Sequence, residues 1–301
     1  MGTTKLQASL DETPYKGIVT RVFSSKFGSV YEVGLVRLST GEDVVIKIKD
    51  NSRAKTNTGA YSREAEYKNL KALEKLGNPL IPEALYYNDG ILIMAYMPGE
   101  PLRMVEQSSL APEAFQTIGH TLRDINDFDT SGLDHLIRFD SFGDFLHHEF
   151  ELFFTERLQL DLLPLSFYEE FKLNMMQSVI DEHPTEIALI AKDAFGGENI
   201  LVDNGNVSGL IDFEDLMIAP RLLQLRPPID AEYLPHYIEG YGKEVFDRYY
   251  CREHLDILKA ISSLRALYLA HEQNAVEWKN DCIKDFNELM SGLNQSFKIS
   301  I

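Results

Sequence analysis

Ala191-Lys192-Asp193-Ala194-Phe195-Gly196-Gly197-Glu198-Asn199-Ile200-Leu201-Val202 runs through Asp203-Asn204-Gly205-Asn206 into Val207-Ser208-Gly209-Leu210-Ile211-Asp212-Phe213-Glu214. Ile200 to Val202 and Val207 to Ile211 are short runs rich in β-branched residues. The four residues between them are turn formers, so the stretch reads as a β-hairpin. Asn199 opens the first strand and Asp212 follows the second, thirteen positions apart. An antiparallel hairpin brings its two open ends together. An amide oxygen and a carboxylate therefore converge, and hard oxygen donors of this kind suit Mg²⁺ carrying a nucleotide phosphate.

Outward from the hairpin, the order of residues resembles the catalytic and metal-binding loops of the aminoglycoside phosphotransferase family, which is similar to the protein kinases and choline kinases. That family reads His-Gly-Asp, four residues, Asn, and, after a hairpin, Ile-Asp-Phe or Ile-Asp-Trp. Asn199 and Ile211-Asp212-Phe213 fit, as does the hairpin length. The resemblance puts the family's His at Lys192, its Gly at Asp193 and its catalytic Asp at Ala194. The metal ligands are kept and the base is not. Three explanations compete: an Asp replaced by design to trap a substrate complex, a natural pseudokinase that binds nucleotide without turnover, or Asp193 serving through a one-residue shift. The shift ranks third, because the carboxylate would have to move while Asn199 stays in place.

Length and composition set the bounds. The 301 residues suffice for one large or two ordinary domains, and 44% hydrophobic with 25% charged residues is the balance of a soluble globular protein. Two cysteines, Cys251 and Cys282, argue against a disulfide framework and for a reducing compartment. No apolar run approaches the ~20 residues of a membrane helix. The opening Met1-Gly2-Thr3-Thr4-Lys5-Leu6 has neither a signal-peptide core nor, at Leu6, the Ser or Thr of a myristoylation site, so the expected location is the cytoplasm. The net charge of −18 disfavours nucleic acid as a partner. It suits either solubility alone or attraction of a polycationic substrate.

The N-terminal region reads as strands. Residues 1–15 are polar, with a loose segment expected. Gly17 to Phe23, Val30 to Leu38 and Val44 to Lys49 are strands of an antiparallel meander. Ser24 to Ser29 is a turn whose backbone N–H groups, that of Ser29 among them, could fold over phosphates. With one Gly and three Ser it is not a Gly-rich loop, and taken alone it reads as an ordinary hairpin turn. Val45-Ile46-Lys47 has the kinase arrangement of a phosphate-pairing Lys in the third strand. Lys49 shares its face, and the choice of Lys47 rests on the resemblance. A helix follows from about Ala60 to Leu76, with Tyr67, Leu70, Leu73 and Leu76 on its apolar face. At ~100° per residue Glu66 falls on that face and Glu64 opposite. A carboxylate on a buried stripe needs a partner, and Lys47 is the expected one. Glu64 stays the alternate, since Arg63-Glu64 matches the family's Arg-Glu pair.

Ile81 to Tyr87 and Gly90 to Tyr96 read as two further strands. Met97-Pro98-Gly99-Glu100-Pro101-Leu102 closely resembles the family's hinge, which implies that the backbone of Ala95, Tyr96 and Met97 faces the adenine edge. Beyond it the chain is mainly helical, at 112–125, 139–160, 164–179, 230–251, 254–273 and 275–293, with a strand at 186–191 and an irregular run at 216–228. The resemblance implies that Glu214 and Asp215 are the family's acidic shoulder; by themselves they read as a solvated loop. The eight histidines give no zinc spacing, and Walker A and G-x-S-x-G sequences are absent.

The expectation is an α+β, bilobal protein-kinase-like fold, with a nucleotide-binding lobe at 1–97 and a helical lobe at 98–301. Lys47 and Glu66 would serve phosphate, and Asn199 and Asp212 would carry Mg²⁺. The implied reaction moves a phosphoryl group from ATP, or GTP, to a hydroxyl of a small cationic molecule such as an aminoglycoside. A nucleotide-binding pseudokinase and a choline- or sugar-type metabolic kinase are the alternatives. No membrane partner is expected, and oligomeric state stays open.

Overall fold

The computed structural model describes residues 2–23, 31–49, 63–157, 165–177, 179, 183–192, 197–225, 229–272 and 276–292. In chain order its elements are α1 (Gly2–Asp11), β1 (Gly17–Phe23), β2 (Tyr31–Leu38), β3 (Asp43–Lys49), α2 (Arg63–Leu73), β4 (Ala84–Asn88), β5 (Ile91–Ala95), β6 (Glu100–Pro101) and α3 (Pro112–Asn126). Then come α4 (Phe142–Arg157), α5 (Leu165–Gln177), β7 (Ile187–Ala191), β8 (Ile200–Asp203), β9 (Asn206–Leu210), β10 (Leu216–Pro220), α6 (Leu234–Tyr241), α7 (Lys243–Tyr249), α8 (Arg252–Glu272) and α9 (Val276–Gly292). The fold is α+β, an antiparallel sheet in the N-terminal region followed by a mainly helical C-terminal region, as expected. The chain divides into two compact units, residues 1–137 with 188–218 and 227–246, and residues 138–187 with 219–226 and 247–301.

The first unit holds the five-stranded sheet, in the order β1-β2-β3-β5-β4, all antiparallel. Strand alternation decides its faces. Val44, Ile46 and Ile48 of β3 join Val36, Ile91 and Ile93 in one apolar cluster, which leaves Val45 and Lys47 on the opposite face. The Asp89-Gly90 turn between β4 and β5 has φ of 43° and 79°, the positive values that a tight hairpin turn requires.

The segment expected to be loose is helical. Leu6 and Leu10 of α1 are fully buried in the apolar cluster of the sheet. Burying each contributes about 1.5–3 kcal/mol. Gln7 adds a polar lock on the edge strand: the Val19 N–H donates to its Oε1 at 3.0 Å, and its Nε2 donates to the Gly17 carbonyl at 3.2 Å. Free backbone groups on an edge strand are thereby satisfied.

The run from Leu216 is also more regular than expected. Leu216–Pro220 is a strand with all five residues buried, in a two-stranded sheet with β7. Glu100–Pro101 pairs with β8, and β8 with β9, in a third sheet. Helices α3 and α6 cross at glycines: a Cβ on Gly240 would lie 2.1 Å from the Gln116 carbonyl oxygen, and one on Gly119 2.4 Å from that of Tyr237. The crossing also carries a buried polar chain. Tyr241 OH donates to Asn126 Oδ1 at 2.6 Å, and Asn126 Nδ2 donates to the Leu189 carbonyl of β7 at 2.7 Å.

The second unit packs around aromatics. Phe150 of α4, Phe171 of α5 and Phe286 of α9 are fully buried, with ring centroids 5.7 Å and 5.5 Å apart along the series. Among the described residues, no helix is long and apolar enough to cross a membrane.

Candidate active site

Lys47 sits in the middle of the sheet, opposite Val33 on one side and Leu92 on the other. Its side chain is 7% exposed. An unpaired ammonium there would be very costly. Nζ donates to Glu66 Oε1 at 2.7 Å, to Glu66 Oε2 at 3.0 Å and to Asp212 Oδ1 at 3.2 Å. Burial pulls the Lys47 pKa down, but the charges of Asp212, Glu66 and Glu214 outweigh it and hold the ammonium above its ordinary value. Burial pushes the Glu66 carboxyl up, while Lys47 draws it down and Asp212 adds to the rise. With an ammonium on both its oxygens, Glu66 is held as the charged half of the pair. Glu64 is half exposed and pairs with Lys68 at 2.7 Å, on the solvent side of α2.

The hairpin supplies the other half of the site. Ile200 pairs with Leu210, and the Ile211 N–H donates to the Asn199 carbonyl at 2.9 Å, so the pairing continues to the open end. The Asn204-Gly205 turn closes the far end with φ of 50° and 78°. Asp212 therefore emerges one residue beyond the pair formed by Asn199 and Ile211. Its φ is 70°, a left-handed backbone that Asp tolerates better than most residues and that is common at functional sites.

A polar side chain on α2 holds the segment after Asp212. Asn69, 1% exposed, donates from Nδ2 to the Phe213 carbonyl at 2.8 Å and lies 3.4 Å from that of Glu214. Its Oδ1 is 3.1 Å from His135 Nε2. The sequence signal was available: Asn69 lies one turn beyond Glu66, on the face that carries Leu70 and Leu73, and a polar residue there needs partners as Glu66 does.

The hinge residues pack on the hairpin. The Ala95 N–H is given to the Glu83 carbonyl at 2.9 Å, which leaves Tyr96 and Met97, both half-buried, as the hinge positions beyond the sheet. Met97 lies against Gly209, where an added Cβ would come within 2.8 Å of it. Gly99 has φ of 119°, and a Cβ there would lie 2.5 Å from the Val202 carbonyl oxygen. Only glycine fits both the backbone and the space. Pro98 accepts a hydrogen bond from Ser208 Oγ.

The donor set fits a divalent cation. Glu66, Asp212 and Glu214 bring one carboxylate oxygen each within 4.8 Å of one another. Against these three negative charges stands the Lys47 ammonium, so the four side chains together carry −2. Like charges at such a separation repel by roughly 3–4 kcal/mol at an effective dielectric near 20, less where solvent reaches them. Glu66 is committed to Lys47, whereas the Asp212 side chain is 33% exposed. Asp212 and the half-buried Asn199 at the hairpin mouth are the residues that would hold Mg²⁺, and oxygen donors with a charge deficit are its chemistry. Lys192, half-buried, follows the last residue of β7. Asp193, Ala194 and Ser29 lie outside the described residues.

The profile of the phosphotransferase enzyme family matches residues 27–254. The chain belongs to that family. Solved structures agree with this phosphotransferase in fold. The gentamicin complex of APH(2″)-IIa superposes with a TM-score of 0.67 at 13% identity, covering 94% of this chain and 95% of that one. A thermostable mutant of aminoglycoside phosphotransferase APH(4)-Ia, in ternary complex with ADP and hygromycin B, gives 0.67 at 15%, covering 96% and 98%. Macrolide 2′-phosphotransferase MphH from Brachybacterium faecium gives 0.61 at 11%, covering 94% and 98%. No curated protein sequence matches. The phosphotransferase thus has the protein-kinase-like fold of these enzymes, with Lys47, Glu66 and Asp212 gathered in its first unit.

Proposed function

We propose that this phosphotransferase moves the γ-phosphoryl group of ATP or GTP to a hydroxyl of a small cationic molecule of the aminoglycoside class, and so serves antibiotic resistance in the cytoplasm. The observation that carries the reading is Lys47, held by Glu66 and Asp212 at the open end of the 200–210 hairpin. In this reading residues 1–97 are the nucleotide-binding lobe and 98–301 the lobe with the substrate site. Lys47 grips phosphate oxygens and Glu66 keeps it extended. The backbone from Ala95 to Met97 meets the base through groups other than the Ala95 N–H, which the Glu83 carbonyl takes, and Ser29 serves the phosphates. Asn199 and Asp212 hold Mg²⁺, which supplies neutralisation of charge on the transferring group. The net charge of −18 favours a cationic acceptor. The nucleotide and antibiotic complexes of similar fold support the same class.

Residue 194 favours a second reading. Alanine accepts no proton, so the chain with Ala194 is a nucleotide-binding protein with impaired or no turnover, and Asp at 194 restores the base. The test is transfer of labelled γ-phosphate from ATP and from GTP by the Ala194→Asp protein to aminoglycosides, macrolides, choline and sugars. Labelled aminoglycoside supports the first reading. Labelled choline or sugar points to a metabolic kinase. Nucleotide binding with no acceptor labelled leaves the binding protein.

A further inference from the structure

One turn of α2 holds Asp212 and the segment that follows it, Glu66 through Lys47 and Asn69 through backbone carbonyls. Glu66 and Asn69 stand three residues apart on the buried face of the helix. Glu66 takes hydrogen bonds on both carboxylate oxygens from Lys47, which also reaches Asp212 at 3.2 Å. Asn69 takes the Phe213 carbonyl at 2.8 Å and approaches the Glu214 carbonyl at 3.4 Å. An amide whose NH₂ group serves carbonyls must turn its oxygen elsewhere, and that oxygen meets His135 Nε2 at 3.1 Å. An amide oxygen only accepts, so Nε2 of His135 carries the proton. Asp212 itself has the left-handed φ of 70°, which a side chain disfavours and neighbouring contacts must hold.

We propose that Asn69 is a positioning residue for Asp212, acting through the Phe213 and Glu214 carbonyls, with its amide oriented by the Nε2–H of His135. The inference rests on the reading of Asp212 as a magnesium ligand. Asn69 has as its partners the Phe213 and Glu214 carbonyls and His135, not the Asp212 carboxylate. Its side chain fixes where the Asp212 carboxylate points, as partners behind a ligand commonly do.

The test is calorimetric titration with ATP, and in parallel with GTP, once in MgCl₂ and once in EDTA. The quantity read is the affinity that magnesium adds. Asn69→Leu is expected to lose ~10–100-fold of that increment, as partners behind a metal ligand do, with nucleotide affinity in EDTA that of the unaltered chain. His135→Leu is expected to lose less, and His135→Gln, whose side-chain amide still offers an N–H, to restore the increment. A cooperatively melting Asn69→Leu protein with an undiminished increment overturns the inference. If Asn69→Leu does not fold, equal increments in His135→Leu and His135→Gln overturn it. If magnesium adds nothing for the unaltered chain, the reading of Asp212 as a metal ligand fails and takes this inference with it.

Discussion

Lys47 and Glu66, nineteen positions apart in the chain, meet at 2.7 Å with side chains 7% and 0% exposed. Removing one partner of such a pair leaves a buried charge, so Lys47→Met should destabilise by roughly 3–5 kcal/mol in urea denaturation. In that variant burial and Asp212 still push the Glu66 carboxyl up, and the ammonium that drew it down is gone. A carboxyl raised in the folded state binds its proton more tightly there than in the unfolded chain. Stability then rises as pH falls through the raised value, and the gain is complete below the ordinary carboxylate range. The deficit of Lys47→Met should therefore shrink as pH falls from neutral toward the ordinary carboxylate range. The unaltered chain should lose nothing from Lys47 in this range, because a raised Lys pKa keeps its contribution until pH climbs through that higher value. Glu64→Ala, on the exposed side of α2, should change stability by roughly 0.5 kcal/mol or less. A larger effect on nucleotide affinity from Glu64→Ala than from Glu66→Ala would contradict the pairing seen here.

Nucleotide binding should be visible without turnover. A ligand at one hundred times its dissociation constant stabilises the fold by about 2.7 kcal/mol. The melting temperature should rise in saturating Mg-ATP or Mg-GTP, and EDTA should reduce the rise. A melt that does not move with either nucleotide would count against the proposed function.

Position 194 is testable by restoring the base. Ala194→Asp should raise single-turnover phosphoryl transfer by roughly 10²–10⁴-fold, the contribution of a positioned general base. Mg-nucleotide affinity should stay the same, because the base faces the acceptor hydroxyl. Asp193→Ala in the Ala194 background should leave any residual rate intact. A robust rate that collapses on Asp193→Ala would make Asp193 the base.

The N-terminal helix should carry real stability. Leu6→Ala and Leu10→Ala should each cost about 2–5 kcal/mol, the range for emptying a fully buried leucine site. Ile18→Ala, at a side chain 70% exposed, should stay within roughly 0.5 kcal/mol. The check is the urea midpoint at unchanged slope. Equal, small effects at all three positions would mean that α1 does not seal the sheet.

Much of this fold is local in origin, and that part is legible in the sequence. Asn204-Gly205 and Asp89-Gly90 adopt the positive φ that tight hairpins need, so the turns announce themselves. Alternation along β3 places Lys47 opposite Ile46 and Ile48, and the helical period places Glu66 on the side of Leu70 and Leu73. The backbone pairing that sets Asn199 and Asp212 at the same end of the hairpin is local. Other features carry no local signal. Two leucines in a ten-residue polar segment are too few to show a period, and α1 owes its place to the apolar face of the sheet that needed a cover. All five residues of β10 are buried, so the alternation that marks a half-exposed strand is missing. The grip of Asn69 on Phe213 spans 144 positions, and the contact of Gly99 with Val202 joins segments that are remote in the chain. Turn dihedrals and side-chain periods are properties of a few neighbouring residues. Which buried polar group finds which partner depends on how distant segments pack, and only the tertiary structure decides that.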